Sequence, residues 1–171
     1  MIKSQAMVIC DAGPIIDLDE ISCIDLLNDF NEIIIPPTVE REIATHRPSV
    51  LQGSSLALRV QDKKIKIREE LLTLCRHFSL DAGETEALAF MEKYPLAIFL
   101  TDDAAARLVA EHMRFIVHGT IGILVRSIRR GQKRPEEVLQ ILSDISMKSS
   151  LYIKASLLQK IKQKIIDEFR L

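Results

Sequence analysis

The sequence predicts an α/β fold: a single three-layer α/β/α domain in which helices cover both faces of a central, mostly parallel sheet. Short apolar runs alternate with amphipathic helical segments along the chain, a pattern typical of parallel sheets that are buried on both faces. The 171 residues suffice for one sizeable core and are few for two. No repeat or linker divides the chain, so we expect one domain over residues 1–171, whose residues 131–171 form a helical C-terminal extension.

Composition excludes several function classes. The chain has 23 basic and 24 acidic residues and a formal net charge of -1, so no overall basic field attracts nucleic acid or membranes. No apolar run approaches the roughly 18 residues of a membrane helix, and the first residues lack the pattern of a signal peptide. The three cysteines, without C-x-x-C spacing, predict neither a disulfide framework nor a zinc knuckle. We therefore expect a cytoplasmic protein with no membrane partner.

Two buried strands are predicted in the N-terminal half, because short apolar runs there stop at turn residues. Ala6–Ile9 is followed by Gly13-Pro14, and Glu32–Ile35 stops at Pro36-Pro37. The other segments predicted in this half are, in order, one helix or two short helices over Ile15–Phe30, a helix with Thr38 as its N-cap, a surface loop over His46–Gly53, and a helix over Leu56–Ile67 that ends in a strand at Ile65–Ile67.

The clearest strand of the chain is Leu96–Leu100, which leads into Thr101-Asp102-Asp103. Asp102 or Thr101 is expected to cap the alanine-rich helix that begins near Ala104. Another short strand is predicted at Phe115–Val117. The remaining predicted helices are Leu71–Phe78, Glu84–Lys93, Ile121–Arg130 with Gly131 as its C′ residue, one that begins at Pro135, and a last one capped by Ser149 or Ser150.

Acidic residues directly follow two of these strands. Asp11 comes after the first, and Asp102 and Asp103 come after Leu96–Leu100. Sites in open parallel sheets form beyond the carboxyl ends of the strands, which favours a functional role. Aspartate is also a common cap and turn residue, so a purely structural role as a cap explains Asp11 alone equally well.

Two glutamates are placed unusually for solvent-facing residues. Glu42 lies beside Ile43 on a short helix, and Glu84 shares a helix face with an apolar stripe that includes Leu88. An acid in the first turn of a helix is also favoured by the helix dipole, so Glu84 has a structural explanation as well.

Taken together, these acids point to a metal ion. Carboxylates about 5 Å apart in a medium of dielectric near 20 repel by roughly 3 kcal/mol per pair, so a cluster of them requires neutralisation. Oxygen ligands favour Mg²⁺ or Mn²⁺, and the lack of a Cys/His cluster disfavours zinc. One or two such ions would support phosphodiester cleavage by water.

Five short motifs occur in the order and spacing of PIN-domain proteins. They are D-A-G-P-I-I-D-L, I-P-P-T-V-E-R-E-I, L-D-A-G-E-T-E-A-L, F-L-T-D-D-A-A-A-R and H-G-T-I-G-I-L. The chain resembles that family over roughly residues 7–130, and is most similar to the VapC-like group related to the toxins of toxin–antitoxin pairs. The resemblance implies a metal-dependent endoribonuclease that uses Mg²⁺ or Mn²⁺, acts on RNA, forms a homodimer and, as a toxin, binds a small antitoxin protein.

The resemblance also implies roles for particular residues. Asp11, Glu42 and Glu84 match the first three acids of the family's catalytic, metal-binding quartet. The fourth falls within Thr101-Asp102-Asp103; the usual Thr-x-Asp pattern selects Asp103, and Asp102 remains an alternative ligand. Thr101 would orient an acid or a water through its hydroxyl. Ala12 stands where many relatives have Ser or Thr, so one potential hydrogen-bond donor near the acids is missing.

Substrate RNA needs a local basic surface on a chain of this net charge. Arg107, one turn past Asp103, together with Arg129 and Arg130, are the candidate substrate-binding residues. Arg129 and Arg130 close a helix and are better explained as solvated complements of the helix dipole, and Arg107 is equally explained as part of an ion pair on the helix surface.

Two other classes of function remain open. In the first, the protein is a catalytically silent binding module that acts through its C-terminal helices. In the second, Asp11 is the nucleophile of a phosphotransfer enzyme or receiver. That second class is disfavoured, because Asp11 lacks a D-x-D companion and no lysine follows a late strand.

Overall fold

The computed structural model describes residues 6–53, 58–60 and 65–170. Its centre is a five-stranded sheet with the order β3-β2-β1-β4-β5, in which every neighbouring pair is parallel. The strands are β1 (Met7–Cys10), β2 (Glu32–Ile35), β3 (Leu58–Val60), β4 (Ile98–Leu100) and β5 (Ile116–His118). All their carboxyl ends therefore face the same edge of the sheet.

Helices cover both faces, which confirms the predicted three-layer α/β/α fold. The helices are α1 (Ala12–Glu20), α2 (Pro37–His46), α3 (Pro48–Gly53), α4 (Glu69–His77), α5 (Ala82–Lys93), α6 (Ala104–His112), α7 (Thr120–Arg129), α8 (Pro135–Lys148) and α9 (Ala155–Phe169). A 3₁₀ helix, Ile24–Asp29, follows α1, so the predicted segment Ile15–Phe30 forms two short helices. None of the described helices combines the length and apolar character needed to cross a bilayer.

Alternating strand residues build two separate cores. Val8 and Cys10 of β1 face a core formed with α1, α2, α7 and α8, whereas Ile9 faces a second core formed with α4, α5 and α6. All three side chains are fully buried. A parallel strand that is buried on both faces reads as a continuous apolar run, which is why its sequence alone predicts it.

Several predicted boundaries are wrong, and proline or packing explains two of them. The N-cap of α2 is Pro36 rather than Thr38, because Pro37 at the first helical position already has the helical φ. The Thr38 amide instead donates to Glu86 Oε2 of α5 at 2.7 Å. The predicted loop His46–Gly53 contains α3, and Val50 packs its buried side chain into the core there.

Three further corrections concern strands and caps. Residues 65–67 form no strand; β3 pairs with β2 earlier in the chain, while Ile65 and Ile67 pack against the second core. Residues 58–60 of the predicted helix over residues 56–67 form β3 instead, because they pair with β2, and residues 56, 57 and 61–64 lie outside the described residues. Ser149 closes α8, and α9 begins at Ala155 after Lys154, so neither Ser149 nor Ser150 caps the last helix.

Candidate acidic site

Asp11 occupies the carboxyl end of the central strand β1. Its amide donates to Leu100 O of β4 at 2.9 Å, which fixes the residue between the two strands. Its Oδ1 accepts from the Ala12 amide at 2.8 Å and thereby caps α1. The side chain is almost wholly buried, and this burial raises its pKa to about 6, with smaller contributions from the charges of Asp81 and Glu42.

Thr101 connects Asp11 to the turn that follows β4. Its fully buried hydroxyl donates to Asp11 Oδ2 at 3.1 Å and accepts from the Asp103 amide at 3.2 Å. Asp103 is the N-cap of α6, where its Oδ1 accepts from the Ala106 amide at 2.7 Å. The predicted cap, Asp102 or Thr101, is therefore wrong, because the backbone of Asp103 is the extended one that precedes the helix.

Glu84 reaches the same edge from the first turn of α5. That helix begins earlier than predicted, at Ala82, with Asp81 as its N-cap. Asp81 and Glu84 form a reciprocal capping box, in which each carboxylate accepts from the other's amide at 2.8 Å. Burial is the main cause that raises the pKa of Glu84 to about 7, and the charges of Asp81, Asp103 and Asp11 raise it further.

Glu42 approaches the cluster from α2. Burial, and next the charge of Asp81, raise the pKa of its carboxyl. A Cβ atom at Gly83 would lie 3.3 Å from Glu42 Oε2 and 3.4 Å from Asp81 Oδ1. Glycine at this position therefore gives Glu42 room beside the start of α5.

The fold thus brings Asp11, Glu42, Glu84 and Asp103 to one edge of the sheet, together with Asp81. We call these five residues the acidic cluster. Charges within the cluster add to the effect of burial in raising the pKa values of Asp11, Glu42 and Glu84. Among the described residues, however, no three His, Cys, Asp or Glu side chains are grouped so as to coordinate one ion. Glu84 Oε2 instead accepts from the Asp81 amide.

Asp102 is directed away from the acidic cluster. Its Oδ1 accepts from the Thr120 amide at 2.9 Å, and its Oδ2 accepts from the Thr120 hydroxyl at 2.6 Å, at the N-terminus of α7. Burial raises the pKa of Asp102, while these bonds and the charge of Arg107 oppose that rise. A Cβ at Gly119 would lie only 2.4 Å from Asp102 Oδ1, so the contact requires glycine there.

The sequence matches the family described as a PIN domain over residues 7–167, which include α8 and most of α9. The chain belongs to the PIN-domain family. PIN domains are generally nucleases, so the fold is of a nuclease type. No curated protein matches the chain significantly.

Of the predicted substrate-binding arginines of this PIN domain, Arg107 lies beside the acidic cluster and the other two do not. Arg107 Nη2 donates to the carbonyl oxygen of Thr101 at 3.2 Å, and the hydroxyl of the same threonine bonds to Asp11. Arg129 and Arg130 lie at the far end of α7. Arg129 pairs with Glu168 of α9 at 2.9 Å, and Arg130 pairs with the buried carboxylate of Asp29 at 2.8 Å.

Sequence reasoning missed Asp81 in this PIN domain. Asp81 is the N-cap of α5 and contributes to the raised pKa values of Asp11, Glu42 and Glu84. The pattern D-x-x-E over residues 81–84 resembles a capping box, and this signal would have located both the start of the helix and the extra acid.

Proposed function

We propose that this PIN domain is a Mg²⁺- or Mn²⁺-dependent endoribonuclease in which Asp11, Glu42, Glu84 and Asp103 hold the ion. The observation that supports this most directly is that four acids from separate elements meet at the carboxyl-end edge of the sheet. Burial is the main cause that raises the pKa of Glu84, and the charges of Asp81, Asp103 and Asp11 add to it. Carboxylates that raise one another's pKa repel, and a hard cation with oxygen ligands relieves that repulsion.

The donor set fits such an ion by its chemistry. Every member of the acidic cluster offers carboxylate oxygens, and the cluster contains no thiolate or imidazole. Asp11 is held in place by the Ala12 amide and the Thr101 hydroxyl, whereas Glu84 would exchange its bond to the Asp81 amide for the ion. When bound, the ion supplies Lewis acidity, which lowers the pKa of water and stabilises negative charge on phosphate oxygens.

The protein's own groups would orient the reaction. The Thr101 hydroxyl bonds both to the carboxylate of Asp11 and to the amide of Asp103. It would therefore hold the two acids in a fixed position relative to each other. In the hydrolysis, the oxygen of water forms a bond to phosphorus, the bond from phosphorus to the leaving ribose oxygen breaks, and a proton from water ends on that oxygen. Asp102 would hold the turn and is not proposed as a ligand.

A direct test is cleavage of a labelled single-stranded RNA with Mg²⁺, with Mn²⁺ and with EDTA. Asp11→Asn and Asp103→Asn are expected to lose cleavage by at least about 100-fold while they remain folded, because a buried or fixed anionic ligand becomes neutral. Asp25→Asn, which changes an exposed acid outside the acidic cluster, is the matched control and should cleave like the wild type. Cleavage that persists in Asp11→Asn would reject the assignment.

The resemblance to VapC-like proteins supports a narrower proposal, a toxin of a toxin–antitoxin pair that acts as a homodimer. Induced expression of the wild type in a bacterial host should arrest growth, and Asp11→Asn should not. Equal growth of both strains, with equal protein levels, would reject the toxin role and leave the nuclease activity to be judged by the cleavage assay.

A catalytically silent binding module is the competing function. It is favoured by the capping box, which gives Glu84 a structural purpose and holds its carboxylate on the Asp81 amide. Folded protein that binds no Mn²⁺ at millimolar concentration would support this function over the nuclease.

A further inference from the structure

A groove runs between α7 and α9. Two cavities, of about 600 Å³ and about 420 Å³, lie along it. Both are lined by His118, Ile121, Gly122 and Ile161, so they adjoin each other, and we call the two together the α7–α9 groove. Each cavity has the size of a small-ligand site.

The groove begins directly behind the acidic cluster. At the turn after β4, the Thr101 hydroxyl bonds to Asp11 on one side, while the Asp102 side chain lines the groove on the other. Arg107 also lines the groove and donates to the carbonyl of Thr101. The groove and the acidic cluster therefore lie on opposite sides of one turn, at the same edge of the sheet.

The lining of the groove is largely apolar and carries more basic than acidic side chains. Its basic side chains are Arg107, Arg126, Arg129, Lys154 and Lys164. Its three arginines are paired with carboxylates, Arg107 with Glu111, Arg126 with Asp29 and Arg129 with Glu168, so among the described residues the lysines supply the groove's unpaired positive charge. The Asp102 carboxylate in the lining bonds to Thr120. Within the described part of the chain, Lys154 has no ion-pair partner. The pKa of His118, between the two cavities, is lowered by burial and then by the charges of Arg126 and Arg107.

An exposed aromatic ring stands at the same end as Lys154. Tyr152 lines the larger cavity and is 84% exposed, in the short segment between α8 and α9. That segment is anchored by Ser150, whose amide donates to Glu20 Oε2 at 2.8 Å and whose hydroxyl contacts Asp17 Oδ1 at 3.3 Å. Basic side chains in a groove with an exposed aromatic ring are the combination that binds single-stranded nucleic acid.

We propose that the α7–α9 groove binds the single-stranded RNA that flanks the scissile phosphate. Tyr152 stacks on an unpaired base, while Lys154 and Arg107 contact the backbone phosphates. Single strands are favoured over duplex because only an unpaired base offers its face for stacking. The inference rests on the proposed function, since it places the RNA that the acidic cluster would cleave.

The test measures binding without cleavage. A fluorescent single-stranded RNA of roughly 12 nucleotides is titrated with the full chain in EDTA, and fluorescence anisotropy gives the Kd. Lys154→Ala should weaken binding about three- to tenfold and reduce the salt slope by about one unit. Tyr152→Ala should weaken it about fivefold or more, and Tyr152→Phe should restore it, because the phenyl ring still stacks. Both side chains are exposed, so these variants should fold normally.

Lys160→Ala is the matched control, because Lys160 is an exposed lysine of α9 that lines a different surface. Equal losses in Lys154→Ala and Lys160→Ala would overturn the proposal in favour of diffuse charge attraction. Wild-type binding by Tyr152→Ala, or no RNA binding by the wild type, would overturn it as well, and would leave the groove to a peptide partner or a second copy.

The outcome is separable from that of the proposed function. Binding in EDTA needs no metal, so groove-dependent binding by a protein that never cleaves RNA would retain this inference and reject the nuclease. Metal-dependent cleavage that Asp11→Asn abolishes, combined with unchanged binding by both groove variants, would reject this inference and retain the nuclease.

Discussion

Asp11 is the most deeply buried acid of the acidic cluster. In the unfolded chain its pKa is near the ordinary value of 3.8, and in the folded protein burial raises it to about 6. The folded state therefore holds the proton more tightly between about pH 4 and pH 6. Folding stability from this group is fully present below pH 3.8 and is lost as the pH rises through 6, where the buried carboxylate becomes charged.

Asp11→Asn should therefore stabilise the metal-free protein at alkaline pH. Asparagine retains the N-cap of α1 and removes the buried charge, so we expect the free energy of unfolding at pH 8 to rise by about 1–3 kcal/mol, and by much less at pH 4. Urea denaturation in EDTA at the two pH values measures both changes. A similar change at both values, or a loss at pH 8, would contradict the burial argument.

Thr101 should set the proton affinity of Asp11. Its hydroxyl bond lowers the pKa of Asp11 against the effect of burial, so Thr101→Val should shift the pH midpoint of Mn²⁺ binding upward. It should also lower the free energy of unfolding by about 1–2 kcal/mol, because the Asp103 amide loses its acceptor. Thr101→Ser keeps the hydroxyl and is the control. A midpoint that stays in place in the valine variant would show that Thr101 only packs.

At the scale of elements, adjacent aspartates of the β4–α6 turn serve different helices. Asp103 caps α6, and Asp102 receives both hydrogen bonds of Thr120 at the start of α7. Asp102→Ala should lower the free energy of unfolding by about 1–3 kcal/mol, because the Thr120 amide loses its acceptor. It should leave the Mn²⁺ affinity within about threefold of the wild type.

Asp103→Asn should weaken Mn²⁺ binding and leave the free energy of unfolding nearly unchanged, since asparagine removes a proposed ligand and preserves the cap. Urea denaturation and calorimetric Mn²⁺ titration on both variants separate the two roles. A larger loss of Mn²⁺ affinity in Asp102→Ala than in Asp103→Asn would assign the ligand to Asp102 instead.

Across the whole molecule, several acids bind their protons more tightly in the folded state than in the unfolded state. Burial raises the pKa of Asp11 and Asp17 to about 6 and that of Glu84 to about 7. In EDTA, the Tm should fall from pH 5 to pH 8, because these groups lose folded-state protons over that range. Mn²⁺ should raise the Tm, since a ligand that binds only the folded state stabilises it. The rise should be larger at pH 8 than at pH 5, because protons compete with the ion for Asp11 and Glu84 at pH 5. A Tm gain from Mn²⁺ that does not depend on pH would contradict this.

The sequence predicted the sheet well because buried parallel strands are continuous apolar runs. β1, β2, β4 and β5 all lie within a residue or two of their predicted positions, and Gly131, with φ +67°, is the C′ residue of α7 as expected. Caps were less predictable. Three polar residues precede α6, and the choice among Thr101, Asp102 and Asp103 as its cap depends on contacts with distant residues such as Asp11 and Thr120.

The predicted site is a different case. The chain's topology brings Asp11, Glu42, Glu84 and Asp103 to one edge, as their positions after strands and on early helical turns indicated. The orientation of each carboxylate was beyond the sequence, because it follows from local caps: Asp81 holds Glu84, and Thr120 holds Asp102. Their role as metal ligands stays a prediction.

The proposed nuclease activity depends on the binding of a divalent cation by the acidic cluster. Calorimetric titration of Mn²⁺ into metal-free wild-type protein at pH 8, with Asp11→Asn and the control Asp25→Asn alongside, tests it most directly. We expect saturable binding by the wild type and by Asp25→Asn, and a loss of at least about tenfold in affinity for Asp11→Asn. Folded wild-type protein that takes up no Mn²⁺ at millimolar concentration, or Asp11→Asn that binds as tightly as the wild type, would contradict it.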